Sequence, residues 1–160
     1  MMDKRKLHEL TEKYFKQNWE SDKYIDELLP YELEYMRENC RIKVDETDIL
    51  VQLVGDSWDP LFISMCVYKP KKLILVLNQR YGDETGSARG NEYCYYISKL
   101  KDRELIDVIP EGVHQDSKKW ETVEDEPVAV FRFLKNNVLP LMNDDKRIVI
   151  DITGSKKSMA

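Results

Sequence analysis

The hydrophobic positions of the chain follow one period before residue 46 and another period after it. Up to that point, apolar residues recur at helical spacing among many charged ones, which predicts helix over residues 3–39. Pro30 interrupts this pattern, so we expect a helix to end there and a shorter one to follow. Residues 1–46 carry no recognisable chemistry. We therefore expect a helical extension that packs against the main domain or against a partner chain.

Beyond residue 46, short apolar segments alternate with helical ones. The apolar segments have the composition of strands buried on both faces, and they span residues 48–55, 71–78, 105–110 and 146–153. Helical periodicity occupies residues 58–69, 91–104 and 127–142, with Asn91 as the predicted cap of the second of these helices. A long polar connection covers residues 111–123. This order predicts an α/β domain with right-handed crossovers and a parallel sheet flanked by helices.

The turn after the first predicted strand is a candidate ligand site. Ligands of parallel sheets bind beyond the carboxyl ends of the strands, near the point where the strand order reverses. The Ser57 hydroxyl and the backbone amides around it are suited to a phosphate or a ribose. The alternative is that Ser57 or Asp56 caps the helix that begins near Trp58. Trp58 is itself a candidate for stacking on a base, with packing against the core as its alternative.

The turn after the last predicted strand is a second candidate. Gly154 allows a close approach of the backbone, and free amides at the start of a following helix attract an anion. Lys156 and Lys157 add positive charge. The spacing is not that of a Walker A loop, because Ser155 separates the glycine from the first lysine. The alternative is a plain turn with solvated lysines.

Other polar residues are weaker candidates. The loop of residues 79–90 is long and rich in glycine, and such loops are often functional. Its Arg80, Tyr81 and Arg89 are placed to reach a nucleotide, although a surface loop is the alternative. Three aspartates lie near the strand ends, but strand alternation turns Asp151 away from the face of its neighbours. We predict no catalytic residue and no metal site.

Composition limits the kinds of binding partner and the cellular location that we expect for this protein. A net charge of −5 argues against duplex nucleic acid as a partner but leaves room for a small anion in a local pocket. The cysteines and histidines have no metal-ligand spacing. No apolar segment is long enough to span a bilayer, and the N-terminus does not have the pattern of a secretory signal. These features together predict a cytoplasmic protein without a membrane partner.

Two segments resemble one known family. VGDSWDPLFISMCVYKPKKLILVLN is similar to the first strand, helix and second strand of CRISPR-associated Rossmann-fold (CARF) domains, in which Gly-x-Ser-x-x-Pro precedes a helix ending in Lys-Pro. DITGSKKSM resembles the Asp-x-Thr-Gly-Gly-Thr-Lys-x-Met signature of one branch of that family. The resemblance covers residues 48–159, so it assigns 47–160 to a CARF-like, Rossmann-like domain.

The resemblance implies a regulatory sensor in type III CRISPR antiviral defence. Such domains form homodimers, bind a cyclic oligoadenylate and control an effector domain, and no other cofactor is implied. Asn78 and Gln79 follow the second strand, where the family often contacts its ligand, and Met159 matches the signature but is expected to pack. With Trp58 added from its position, the candidate ligand-binding residues are Ser57, Trp58, Asn78, Gln79, Thr153, Gly154, Ser155, Lys156 and Lys157.

The signature also differs from the family's. Ser155 stands at its second glycine and Lys156 at its second threonine. Two other functions stay open: a metal-independent ring nuclease that degrades cyclic oligoadenylate, and a non-catalytic dimerisation or interaction module. A CARF domain continues beyond the helix begun at Lys156, so the domain is expected to be incomplete at its C-terminus. We then expect an effector domain or a second chain to complete it, and the last strand to expose an apolar edge.

Overall fold

Helices and strands alternate after residue 47, as the hydrophobic pattern predicts. The computed structural model describes residues 2–40, 47–78, 87–113, 121–124, 126–143 and 145–154. Its helices are α1 (Lys4–Gln17), α2 (Ser21–Lys23), α3 (Leu29–Asn39), α4 (Asp59–Tyr68), α5 (Ser87–Asp102) and α6 (Pro127–Phe133). Its strands are β1 (Ile49–Val54), β2 (Lys72–Asn78), β3 (Glu121–Val123) and β4 (Ile148–Asp151).

The described strands form one parallel sheet in the order β3-β2-β1-β4. The chain builds the sheet outward from β1 to β3 and then returns to place β4 on the other side of β1. Gln52 pairs with Leu75 of β2 on one side and with Asp151 of β4 on the other. The predicted α/β class with a Rossmann-like parallel sheet is therefore confirmed. The strand order reverses between β1 and β4, so their carboxyl ends meet at the expected position for a ligand.

A hydrophobic core lies on each face of the sheet. One core joins β1, α4 and α5 to the N-terminal helices, which contribute Leu10, Ile25 and Leu29. The other core lies under α6 and includes Val51 and Phe133. All of β1 is buried because both of its faces are covered, which is why its sequence shows no alternation. The N-terminal helices therefore pack against the α/β domain of the same chain.

Pro30 does not end a helix, which corrects the predicted break. The chain is helical without interruption from Ser21 to Asn39, and a π-helical turn, Tyr24–Leu28, lies just before Leu29 and Pro30. A second π-helical turn, Leu134–Val138, precedes the Leu139–Leu141 turn and its Pro140 in the same way. The wider turn relieves the clash between the proline ring and the carbonyl four residues earlier. The actual break lies at Asn18, whose φ of 50° ends α1.

The predicted third strand, residues 105–110, is wrong. This segment is irregular because α5 ends in a Schellman turn, with Glu104 at φ 58° and the Leu105 amide bonded to the Leu100 carbonyl at 2.9 Å. The turn folds Leu105 and Ile106 back onto the core. The third strand is instead β3, which lies inside the predicted polar connection. The predicted cap at Asn91 is also wrong, because α5 begins earlier, at Ser87.

Strand β4 is shorter than predicted and lies at the edge of the described sheet. It pairs with β1 over Ile148–Asp151, and no other described strand pairs with it. Ile150 and Ile152 are 43% and 53% exposed, in a strand that the sequence predicted to be buried. Among the described residues, no helix is long and apolar enough to cross a membrane.

Candidate anion-binding site

The turns that follow β1 and β4 lie next to each other. Their strands pair in register, and the backbone of Gly154 packs against the end of β1 and the first turn of α4. A Cβ at this position would lie 2.7 Å from Leu61 Cδ2 and 3.3 Å from the Leu53 carbonyl oxygen. Glycine therefore suits this position because the Leu61 side chain and the end of β1 lie close to its backbone. Ser57 and Thr153 are exposed on the two turns.

The turn after β1 leads directly into α4. Trp58, rather than Ser57 or Asp56, occupies the N-cap position of this helix, and its side chain makes no capping hydrogen bond. The Trp58 carbonyl accepts from the amide of Leu61 at 2.9 Å. The Ser57 hydroxyl is exposed just before the helix N-terminus, where the partial positive charge of the helix favours an anion.

Arg89 brings a cation to this turn from the first turns of α5. Its Nη2 donates to the Gly55 carbonyl at 2.6 Å and lies 3.3 Å from the Asp56 carbonyl. Its Cζ is 4.4 Å from the centre of the Trp58 ring. The sequence placed Arg89 only in a glycine-rich loop with reach toward a nucleotide and did not include it among the ligand-binding residues. Its position in the chain could have indicated this role. The loop after β2 begins at the carboxyl end of a strand next to β1, so it lies at the same end of the sheet as the turn after β1.

Trp58 is packed rather than open. It is 4% exposed, and its ring lies parallel to that of Tyr93, with the centroids 4.7 Å apart and the planes 4° apart. Burial raises the pKa of Tyr93 well above its ordinary value, so its hydroxyl remains a donor. The geometry favours the packing role for Trp58, because little of its ring is left to stack on a base.

A chain of buried polar groups leads from Tyr93 to the turn after β4. The Tyr93 hydroxyl donates to Gln52 Oε1 at 2.6 Å, and Gln52 Nε2 donates to Ser64 Oγ at 2.8 Å. The Ser64 hydroxyl in turn donates to Asp151. Asp151 Oδ1 then accepts from the Thr153 amide at 2.9 Å and from the Thr153 hydroxyl at 2.5 Å. This chain satisfies polar groups that β1, α4 and β4 place inside the core.

Sequence reasoning did not predict this chain. It used strand alternation only to argue that Asp151 faces away from its neighbours in the strand, and in the structure Asp151 is buried and accepts from Ser64 of α4. Gln52 and Ser64 were not singled out, although each is a single polar residue within an apolar run. A polar residue in the middle of a strand buried on both faces is the clue, because it needs partners inside the core.

The remaining predicted residues are placed as follows. Asn78 ends β2 and is 2% exposed. Arg80 and Tyr81 of the loop lie outside the described residues, as do the predicted residues Gln79, Ser155, Lys156, Lys157 and Met159.

The aspartates near the strand ends do not converge. Asp59 points toward the N-terminal helices, where its carboxylate accepts from Tyr14 at 2.5 Å and from Ser21 at 2.8 Å. Asp151 is bonded to Ser64 and Thr153. In the part of the chain that the structure describes, no group of three or more potential ligands is placed to hold a metal ion.

Cavity size does not locate this site. A cavity of about 450 Å³ lies at the opposite end of the sheet, between the C-terminus of α4 and residues 106–110. A groove of about 390 Å³ follows β4 and reaches Ser64, Asp151 and Thr153. We place the candidate site by its chemistry, at the turns, because this end of the sheet combines a helix N-terminus, the exposed Ser57 hydroxyl and the Arg89 guanidinium. The groove extends from there along β4.

Comparison with known proteins finds no matching family model and no similar curated protein.

Proposed function

We propose that this chain is a regulatory domain that binds the phosphates of a cyclic oligoadenylate at the carboxyl ends of β1 and β4. The observation that carries the proposal is the contact between the two turns, in which Gly154 packs against Leu53 and Leu61 at the reversal point of the sheet. The resemblance of these same turns to CARF motifs supplies the ligand class. In that family the ligand lies across a homodimer and controls an effector domain.

The chemistry of the turns suits a phosphodiester. Ser57 presents an exposed hydroxyl, the N-terminus of α4 presents the partial positive charge of its helix dipole, and Arg89 presents a guanidinium. Hydrogen bonds from such charged or polar donors to phosphate are among the stronger ones in proteins. A local cation also explains how a chain of net charge −5 binds an anion. Asp56 opposes this charge, since it is exposed on the same turn.

These groups support binding more directly than catalysis. A ring nuclease would need the same donors to hold a ribose 2′-hydroxyl in line with its phosphate. Two buried carboxylates, Asp59 and Asp151, lie near the turns. In the structure both already accept hydrogen bonds from hydroxyl groups. We therefore favour the sensor over the ring nuclease and the interaction module.

Thermal unfolding with cyclic tri-, tetra- and hexa-adenylate tests the proposal. A ligand at a hundred times its Kd adds about 2.7 kcal/mol to the folded state, and this raises Tm by about 5–10 °C for a chain of this length. Arg89→Met and Ser57→Ala are expected to reduce the shift. Arg132→Met, which removes an exposed cation from α6, is the matched control and should leave the shift unchanged.

Incubation of each ring with the protein separates the sensor from the nuclease. The sensor leaves the rings intact, whereas linear products would favour the enzyme. A chain that unfolds cooperatively but shows no Tm shift with any ring would contradict the proposal and favour the interaction module.

A further inference from the structure

Tyr93 occupies a central position beneath the candidate site. It belongs to α5 and is fully buried. Its ring lies 4.7 Å from that of Trp58 and 6.0 Å from that of Phe62, nearly parallel to both. Its hydroxyl reaches Gln52 in the middle of β1. One side chain thus contacts both the element that forms the first turn and the polar chain that leads to the second.

The direction of the polar chain follows from its donors and acceptors. The Leu61 carbonyl can only accept, and it lies 3.0 Å from Gln52 Nε2, so the Gln52 amide group must face it with its nitrogen. Gln52 Oε1 then faces Tyr93 and requires a donor there. Ser64 accepts a hydrogen bond from Gln52 and donates its own hydroxyl to Asp151, a stronger acceptor than the Leu61 carbonyl 3.1 Å away.

The end of this chain sets the turn after β4. Asp151 Oδ1 holds both the amide and the hydroxyl of Thr153, while its other oxygen accepts from Ser64. The orientation of the carboxylate, and with it the position of Thr153, depends on Ser64 and therefore on Gln52 and Tyr93. The aromatic contact sets the first turn separately, because Trp58 is the N-cap of α4.

We propose that Tyr93 is a positioning residue that holds the two turns of the anion site in register, the first through its ring on Trp58 and the second through its hydroxyl and Gln52, Ser64 and Asp151. This role adds a positioning residue to the proposed sensor site and rests on the sensor function. Tyr93→Phe separates the two connections, since it keeps the ring and removes only the hydroxyl. The turn after β4 should loosen while the turn after β1 stays in place.

Amide hydrogen exchange of the ligand-free protein tests this connection. In Tyr93→Phe, the Thr153 amide is expected to exchange about tenfold faster, because the buried chain that orients its acceptor has lost a donor. The Leu61 and Phe62 amides, which bond to the Trp58 carbonyl, should keep their rates. Tyr95→Phe is the matched control on the same helix, since its hydroxyl donates to Asp22, which is not part of the polar chain.

Unchanged exchange at Thr153 in a folded Tyr93→Phe protein would overturn the proposal. An equal acceleration at Thr153 and at the α4 amides would overturn it too, because that pattern reports general destabilisation. If Tyr93→Phe does not fold, Ser64→Ala interrupts the same chain two residues further along and must give the same local pattern.

Ligand affinity gives a second test through a double-mutant cycle. Tyr93→Phe and Thr153→Ala should be non-additive in their effects on Kd, because both act on the same turn, whereas Tyr93→Phe and Ser57→Ala should be additive. Full additivity in both cycles contradicts the positioning role while leaving the sensor function intact. If the wild type binds no ring but Tyr93→Phe shows the expected exchange pattern, the sensor function is refuted. Tyr93 then has a structural role only.

Discussion

Replacing Tyr14 with phenylalanine should weaken the attachment of the N-terminal helices to the α/β domain. Asp59 is 8% exposed at the start of α4, and the Tyr14 hydroxyl donates to its Oδ2 at 2.5 Å. Ser21 provides a second donor, to Oδ1 at 2.8 Å. Burial, together with the bond to Asp59, raises the pKa of Tyr14 well above its ordinary value, so the hydroxyl is a neutral donor near neutral pH.

The expected loss of stability follows from this geometry. The substitution keeps the ring and its contact with Tyr24, whose centroid is 5.4 Å away, so little apolar burial changes. What is lost is a hydrogen bond to a largely buried carboxylate, which contributes about 1.5–3 kcal/mol. Tyr95→Phe removes a similar bond, from a half-exposed tyrosine to Asp22 at 2.9 Å, and surface substitutions of this kind have small effects.

Urea unfolding at equilibrium measures the difference. With an m-value of about 2 kcal/mol/M, the midpoint of Tyr14→Phe should fall by about 0.7–1.5 M, without a change in m. Tyr95→Phe should unfold close to the wild type. If both variants shift the midpoint equally, the buried bond from Tyr14 to Asp59 stabilises the fold no more than the exposed bond from Tyr95 does. That result would refute the prediction.

Two further predictions concern Glu32 and Gly154. Burial raises the pKa of Glu32 above its ordinary value of 4.5, so its contribution to stability is full below the unfolded pKa and is lost as pH rises through the folded pKa. Glu32→Gln, which can still accept from Tyr24, should therefore gain stability relative to the wild type as pH rises above 4.5 in urea unfolding, and a pH-independent difference would refute this. Gly154→Ala should cost about 1–3 kcal/mol, because its Cβ would meet the buried Leu61 side chain at 2.7 Å, and an unchanged Tm would show that Leu61 yields freely.

The candidate site could be predicted only in outline. The sequence located both turns, because glycine, serine and threonine after a buried strand are local signals. It did not connect them, since the contact between Gly154 and Leu61 spans most of the domain. Arg89 was visible as a cation in a loop, but its bonds to the Gly55 and Asp56 carbonyls depend on how α5 packs over β1.

The α/β class and the approximate places of β1, β2 and the helices around them could be predicted from the amino-acid pattern alone. These follow from periodicity and from continuous apolar runs, which are local properties of the chain. The turn of Leu105 and Ile106 back onto the core and the pairing of β3 beside β2 depend on tertiary packing, because a three-residue strand carries too little pattern to be recognised. Tertiary structure also decided the polar chain from Tyr93 to Thr153, since a buried glutamine takes partners from whichever elements pack against it, and those elements come from distant parts of the sequence.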